Sequence, residues 1–161
     1  MKKFLGLVAA MMMMTFAFGA MAEAPFEGAW VQFDAGFEIY LPNDWLELEI
    51  AEEDMEAGIY YAVCSPDGAH VVQLTWNALD AEYTLEALQA ELATAYPDAE
   101  IGVLNDISFV GYTDAENDMN VLVALDGEEP GLYGFWFYPA SDETFAETGI
   151  AIMQSIRLIA E

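Results

Sequence analysis

The side chains best suited to chemistry in this sequence are its single cysteine, Cys64, and its single histidine, His70. A thiolate beside an imidazole is a nucleophile pattern. The two residues flank Ser65-Pro66-Asp67-Gly68-Ala69, which separates the β-rich runs Gly58 to Cys64 and His70 to Asn77. With a type I turn and Gly68 in the left-handed position of a G1 bulge, residues 64 and 70 stand opposite each other on one sheet face. A two-residue loop instead pairs 63 with 70 and sends the two side chains to opposite faces. No Asn or Asp in the sequence can be assigned to orient the imidazole, so a thiol enzyme or hydrolase built on Cys64 and His70 ranks third among the functional readings.

A second group is Asp114-Ala115-Glu116-Asn117-Asp118-Met119-Asn120, whose oxygen side chains alternate as in the first half of a calcium loop. An EF-hand starting at Asp114 needs Gly at position 119 and Glu at position 125. The sequence has Met119 and Leu125, so that motif fails. A looser calcium site using Asp114, Glu116 and Asp118 is the candidate metal site, set against a solvated hairpin tip. Two further acidic clusters, Glu52-Glu53-Asp54 with Glu56 and Asp126-Gly127-Glu128-Glu129, suit a cation or a basic partner, or are charged surface loops. Carboxylates are so numerous that pairs able to hydrolyse a glycoside exist by count alone, and only their separation discriminates.

Trp30, Trp45, Trp76 and Trp136 raise a carbohydrate-binding reading, because sugars stack on exposed aromatic faces. Trp76 shares parity with Val72 and Leu74, and Trp136 lies within the mostly apolar run Leu132 to Tyr138, so both are expected in the core.

Charge narrows the partners. The chain carries 29 Asp and Glu against 3 Lys and Arg, a formal net charge of −26. Two of those cations, Lys2 and Lys3, precede an apolar run from Phe4 to Phe18 and the small-residue site Ala20-Met21-Ala22. This is the pattern of a cleavable signal peptide over residues 1–22, which predicts a secreted or extracytoplasmic protein beginning at Glu23. Retention as an anchor is the alternative, and no cysteine lies at the end of the apolar run to take a lipid. With the leader removed, Arg157 is the only Lys or Arg left. Such a chain repels phosphate, which excludes nucleic acid and anionic lipid as partners and predicts no stable membrane insertion after cleavage. Cations and basic proteins remain as ligands. One cysteine allows no internal disulfide, so stability must come from a core, and residues 23–161 are long enough to form one acidic α+β domain.

The elements that must position these residues follow from periodicity. Phe37-Glu38-Ile39-Tyr40-Leu41 alternates as a strand and ends at Pro42-Asn43-Asp44. Thr84 is a predicted N-cap for a helix with Leu85, Leu88, Leu92 and Tyr96 on one face, closed by Pro97. A short strand spans Ile101 to Leu104, a hairpin joins Ile107 to Tyr112 with Asn120 to Leu125, and Leu132 to Tyr138 follows as the last strand. Ser141 is the predicted cap of a closing helix in which Phe145, Gly149, Ile152, Met153 and Ile156 recur at helical spacing. The sum is an α+β fold, an antiparallel sheet of about seven strands with helices packed on it.

The segment Phe37 to Trp45, the mid-chain helix, the two hairpins and the closing helix ending in Gln154-Ser155-Ile156 resemble the Mog1/PsbP-like fold, to which many small exported bacterial proteins are similar. The resemblance covers most of residues 23–161 and implies an antiparallel sheet sandwiched between helices. It implies interaction and accessory roles, including cation-linked assembly of photosystem subunits, and places no functional residue on this chain. The leading expectation is therefore an exported non-enzymatic interaction or accessory module with an unknown protein partner and no cofactor. Weak divalent-cation binding, with calcium as the ligand, is the alternative.

Overall fold

Strict alternation along the chain does produce strands, but they divide between two sheets. The computed structural model describes residues 24–159, so the leader assigned to residues 1–22 lies outside the described residues. In chain order the elements are β1 (Gly28–Gln32), β2 (Phe37–Pro42), β3 (Leu46–Glu47), α1 (Glu52–Glu56), β4 (Ile59–Cys64), β5 (Val71–Ala78), α2 (Leu85–Leu92), β6 (Glu100–Leu104), β7 (Ile107–Asp114), β8 (Met119–Leu125), β9 (Gly131–Tyr138), α3 (Glu143–Ser155) and β10 (Arg157–Leu158). Among the described residues the larger sheet has seven strands in the order β3-β4-β5-β9-β8-β7-β6, and a smaller one has the order β1-β2-β10. All pairings are antiparallel.

The strand read at Phe37 to Leu41 is thus β2 of the small sheet, and the short β3 takes the remaining place in the large one. Each face of the large sheet has its own core. On one face Val63, Val72, Leu74 and Phe137 meet Ile39 and Leu41 of β2 and Phe145, Ile152 and Ile156 from the closing helix region. On the other, Val110, Tyr112, Val121 and Val123 meet Leu88 of α2, with Leu85, Leu92 and Tyr96 packed around them. The parity of the strands decides which side chain joins which core. The predicted sandwich is therefore present, with α3 and α2 on opposite faces of the sheet.

Side-chain hydrogen bonds lock the closing helix in place. The Ser155 hydroxyl donates to the Ile152 carbonyl at 2.6 Å and accepts from the Tyr40 backbone N–H at 2.9 Å, joining α3 to β2. Asn105 Nδ2 donates to the carbonyls of Gln154 and Ile156 at 2.8 and 2.7 Å, which meets acceptors left open at the helix end. Thr84 caps α2 as expected, its hydroxyl accepting from Ala87 N–H at 3.2 Å.

The cap of α3 is a correction. Asp142, not Ser141, is the N-cap, and its carboxylate accepts from the Thr144 N–H at 2.8 Å. Ser141 is taken up elsewhere: its hydroxyl donates to Asp118 at 2.7 Å, which leaves the capping position to the next residue.

Candidate functional site

The β4–β5 hairpin decides the fate of the cysteine and histidine. Asp67 accepts from the Ser65 hydroxyl at 2.6 Å and from Ala69 N–H at 3.1 Å, and Gly68 takes the left-handed conformation at φ +72°. This tightens the turn so that Ser65 itself joins the ladder, its N–H donating to the His70 carbonyl at 2.9 Å. Cys64 consequently pairs with Val71 rather than His70. The expected juxtaposition on one face is overturned by a single residue of register. Cys64 is buried on the α2 side of the sheet.

His70 faces the other way, with Val72. Its ring stacks on Phe145 at a centroid distance of 4.7 Å and an interplanar angle of 8°. Its Nε2 lies 3.0 Å from Asp142 Oδ2. The histidine therefore clips the β4–β5 hairpin to the first turn of α3, beside the carboxylate that caps that helix. Neither residue meets the other, and a Cys–His nucleophile is not assembled.

The acidic hairpin tip is equally committed to structure. Asp114 is buried, and its carboxylate accepts from the N–H groups of Glu116 and Asn117, both at 3.1 Å, and from Asn117 Nδ2 at 2.7 Å. Asp118, at φ +57°, accepts from Ser141 N–H and hydroxyl at 2.8 and 2.7 Å, while its carbonyl accepts from Ala140 N–H at 2.7 Å. Glu116 is exposed and takes part only through its backbone N–H, not its carboxylate. The three candidate ligands thus belong to one loop, but two of them aim at different protein donors. Among the described residues no three His, Cys, Asp or Glu side chains are grouped to hold a metal ion.

That arrangement carries a prediction. Sodium chloride screens a chain of net charge −26 and should raise its melting temperature. Calcium at matched ionic strength is expected to add nothing further, because Asp114 and Asp118 already accept protein hydrogen bonds. A calcium-specific rise that Asp118→Ala removes would establish the cation reading instead.

The other acidic clusters are also resolved. Glu52, Glu53 and Glu56 line an open depression of about 380 Å³ with Ala51, between α1 and solvent. Asp126 accepts from Glu128 N–H at 2.9 Å and from the Trp76 indole N–H at 3.0 Å.

Each tryptophan is engaged. Trp76 and Trp136, expected in the core, are half-buried. The Trp136 indole donates to Thr75 Oγ1 at 3.0 Å, and the polar edge of each ring thus anchors in a hydrogen bond. Trp45 stacks on Phe145 with centroids 6.1 Å apart. Trp30, whose exposure the sequence left open, carries the Arg157 guanidinium 3.7 Å from its ring centroid. Arg157 also reaches Glu38 Oε1 at 2.7 Å, and Gln32 donates to the second oxygen of Glu38 at 3.0 Å. Among the described residues the one Lys or Arg is therefore spent inside the small sheet.

These bonds set the acid response. Hydrogen bonds from Thr144, then His70, hold Asp142 down to about 2 from an ordinary 3.8. Asp114 is lowered chiefly by the Asn117 side chain, Asp67 chiefly by Ser65, and Glu38 by Gln32 and then Arg157. A carboxyl lowered in the folded state binds fewer protons there than in the unfolded chain, so its stabilisation is complete above the unfolded value and disappears as pH falls through the folded one. Melting temperature is expected to fall between about pH 5 and about pH 2. Asp142→Asn, measured across the same range, should flatten part of that acid limb.

The sheet with helices on opposite faces defines an α+β sandwich, and comparison with solved structures narrows it. The solution structure of cyanobacterial PsbP (CyanoP) from Synechocystis sp. PCC 6803 matches with a TM-score of 0.57 and 14% identity, over 88% of this chain and 97% of that one. A crystal structure from Bacteroides thetaiotaomicron VPI-5482 matches with a TM-score of 0.52 and 15% identity, over 84% of this chain but only half of the other. The chain has the PsbP-like fold. No protein-family model and no curated protein sequence matches it. Among the described residues no helix is long and apolar enough to cross a membrane.

Proposed function

We propose that this protein is an exported, non-enzymatic interaction or accessory module. The observation that carries the reading is the use made of its reactive side chains. Cys64 is buried on one face of the sheet, His70 is stacked and hydrogen-bonded on the other, and Arg157 is held by Glu38 and Trp30. Groups whose hydrogen bonds all serve the fold are poor candidates for turnover, which needs them to meet a substrate. Export is read from residues 1–22, and the PsbP-like fold is compatible with an accessory role. The acidic surface favours a basic protein as the partner.

The test is reconstitution. Purified protein is crosslinked in the extracytoplasmic fraction of its own cells, and a captured partner is then purified and titrated back. A saturable complex of fixed stoichiometry is the expected result. Turnover in a broad hydrolase and thiol-transfer screen that disappears in Cys64→Ser or His70→Ala would overturn the reading.

A further inference from the structure

The hairpin of β6 and β7 fixes which backbone groups of the outermost strand face away from the large sheet. Asn105 and Asp106 both take positive φ, +46° and +68°, so a two-residue turn joins the strands and Leu104 opposes Ile107. The residues flanking such a turn exchange both hydrogen bonds, and bonded and non-bonded pairs alternate from there. Leu104, Gly102 and Glu100 therefore bond to β7, whereas the N–H and C=O groups of Ile101 and Val103 point outward, past the last strand of the sheet.

The chain closes this edge just before β6 and leaves it open along the strand. Ala99, the preceding residue of the outward series, donates its N–H to the Tyr96 carbonyl at 2.9 Å, and its own carbonyl accepts from Gln89 Nε2 at 2.9 Å. Among the described residues none bonds to the outward groups of Ile101 or Val103. Their side chains share the face of Val110, on which α2 packs, yet the helix leaves Ile101 44% and Val103 51% exposed. The register of β6 runs unbroken, and its sequence Glu-Ile-Gly-Val-Leu holds neither the Lys nor the Pro that guards an edge. The opposite edge of the same sheet, β3, is blunted by its length of two residues.

Charge identifies the occupant. Side chains alternate, so Glu100 is exposed on the face opposite Ile101 and Val103, and Asp106 is exposed in the turn. Among the described residues the one Lys or Arg, Arg157, is held in the small sheet by Glu38. A second copy would bring a second Glu100 and Asp106 to this edge with no cation to offset them. A strand that alternates apolar and basic residues suits both faces, its apolar side chains beside Ile101 and Val103 and its Lys or Arg beside Glu100.

We infer that β6 accepts an extended segment of a partner protein as a further strand, bonded to the outward groups of Ile101 and Val103 and alternating apolar with basic side chains. The inference rests on the interaction-module reading and names the surface and the chemistry of the partner. Main-chain hydrogen bonds supply the affinity, and the alternation supplies the choice of sequence.

A short synthetic peptide alternating Lys and Val tests it on the purified protein, with binding read by calorimetry and the site by amide hydrogen exchange. The peptide should bind, weaken with salt, and slow exchange of the Ile101 and Val103 amides by at least about ten-fold while leaving β3 unchanged. Whichever way the peptide runs, only one of its edges pairs with β6. Methylating the backbone nitrogen of every valine, or instead of every lysine, should therefore give two forms that differ in affinity by at least about ten-fold. Val103→Pro removes one outward donor at a position where an edge strand tolerates proline, and should weaken binding by about ten-fold.

Absent binding, equal affinity of the two methylated forms, equal affinity of a peptide with Glu in place of Lys, or protection away from β6 would overturn the proposed edge. So would a dimer in sedimentation that Val103→Pro dissociates, because the occupant would then be a second copy. Exchange is read on the unaltered protein, so a misfolded variant cannot blur the result. All these outcomes leave the module reading intact, whereas catalytic turnover in the screen described above would remove that reading itself.

Discussion

Phe137→Ala is expected to lower the unfolding free energy by about 3–5 kcal/mol, more than any change at the surface. Phe137 is 1% exposed and sits on β9, which is hydrogen-bonded on both sides, Phe137 opposing Val72 of β5 and Asn120 of β8. Its ring lies in the core shared by the large sheet, β2 and α3. Truncation removes apolar contact and leaves a cavity that two sheets and a helix, each fixed by its own hydrogen bonds, cannot all move to fill. A chain of this size should then melt roughly 10 °C lower. The neighbouring Trp136 is the control. It points to the opposite face, half-buried, and Trp136→Phe loses mainly one hydrogen bond to Thr75, worth about 1 kcal/mol. Denaturant midpoints at unchanged slope distinguish the two costs. Equal losses would mean that the cores on the two faces are not as separate as the strand parity makes them.

The contrast between these adjacent residues also shows what the sequence could reveal. Runs such as Ile107 to Tyr112 and Leu132 to Tyr138 announce strands through their composition, and Thr84 announces its helix, because the forces involved act within a few residues. The short elements are different. Strand β10 has two residues and forms where Arg157 reaches Glu38, 119 positions earlier. Strand β1 owes its place to pairing with β2 and to the Tyr40 hydroxyl, which donates no local signal but accepts from Gly28 N–H at 2.9 Å. Ser141 and Asp142 are both good caps, and the choice between them is made by Asp118 from a different hairpin. The candidate site suffers most from such distant decisions. One residue of register at Ser65 separates Cys64 from His70, and Asp114 and Asp118 turn away from a common centre because other loops supply their donors. Leu46-Glu47-Leu48-Glu49 alternates, but which side chains take which face depends on pairing with β4, where Leu46 opposes Cys64 and Glu47 opposes Val63.

Gly58→Val is the other change expected to be severe, at about 3 kcal/mol or more, and its effect should reach the acidic segment as well as the core. Gly58 lies at φ +94°, a conformation that a β-branched residue resists. Added side-chain atoms would have nowhere to go, because a Cβ there would stand 2.6 Å from the Trp76 carbonyl oxygen and 2.6 Å from Asn77 Oδ1. The glycine also closes α1, its N–H donating to the Met55 carbonyl at 3.0 Å, and its own carbonyl accepts from Trp76 N–H at 2.9 Å. It therefore fastens the Glu52 to Glu56 turn to β5 at the point where β4 begins. Just beyond it, the bulge between Ile59 and Tyr61 directs the chain so that Tyr61 packs edge-on to Phe33 at 5.1 Å. Displacing Gly58 should shift that aromatic contact, loosen α1, and raise amide exchange over residues 46–62 before the rest of the sheet. Gly68→Ala supplies the comparison, since it shares the positive φ but meets no atom within 4 Å. It should cost only the conformational strain, about 1 kcal/mol. If both variants lose the same amount, backbone conformation accounts for the whole effect and the close approach of Trp76 to Gly58 contributes nothing.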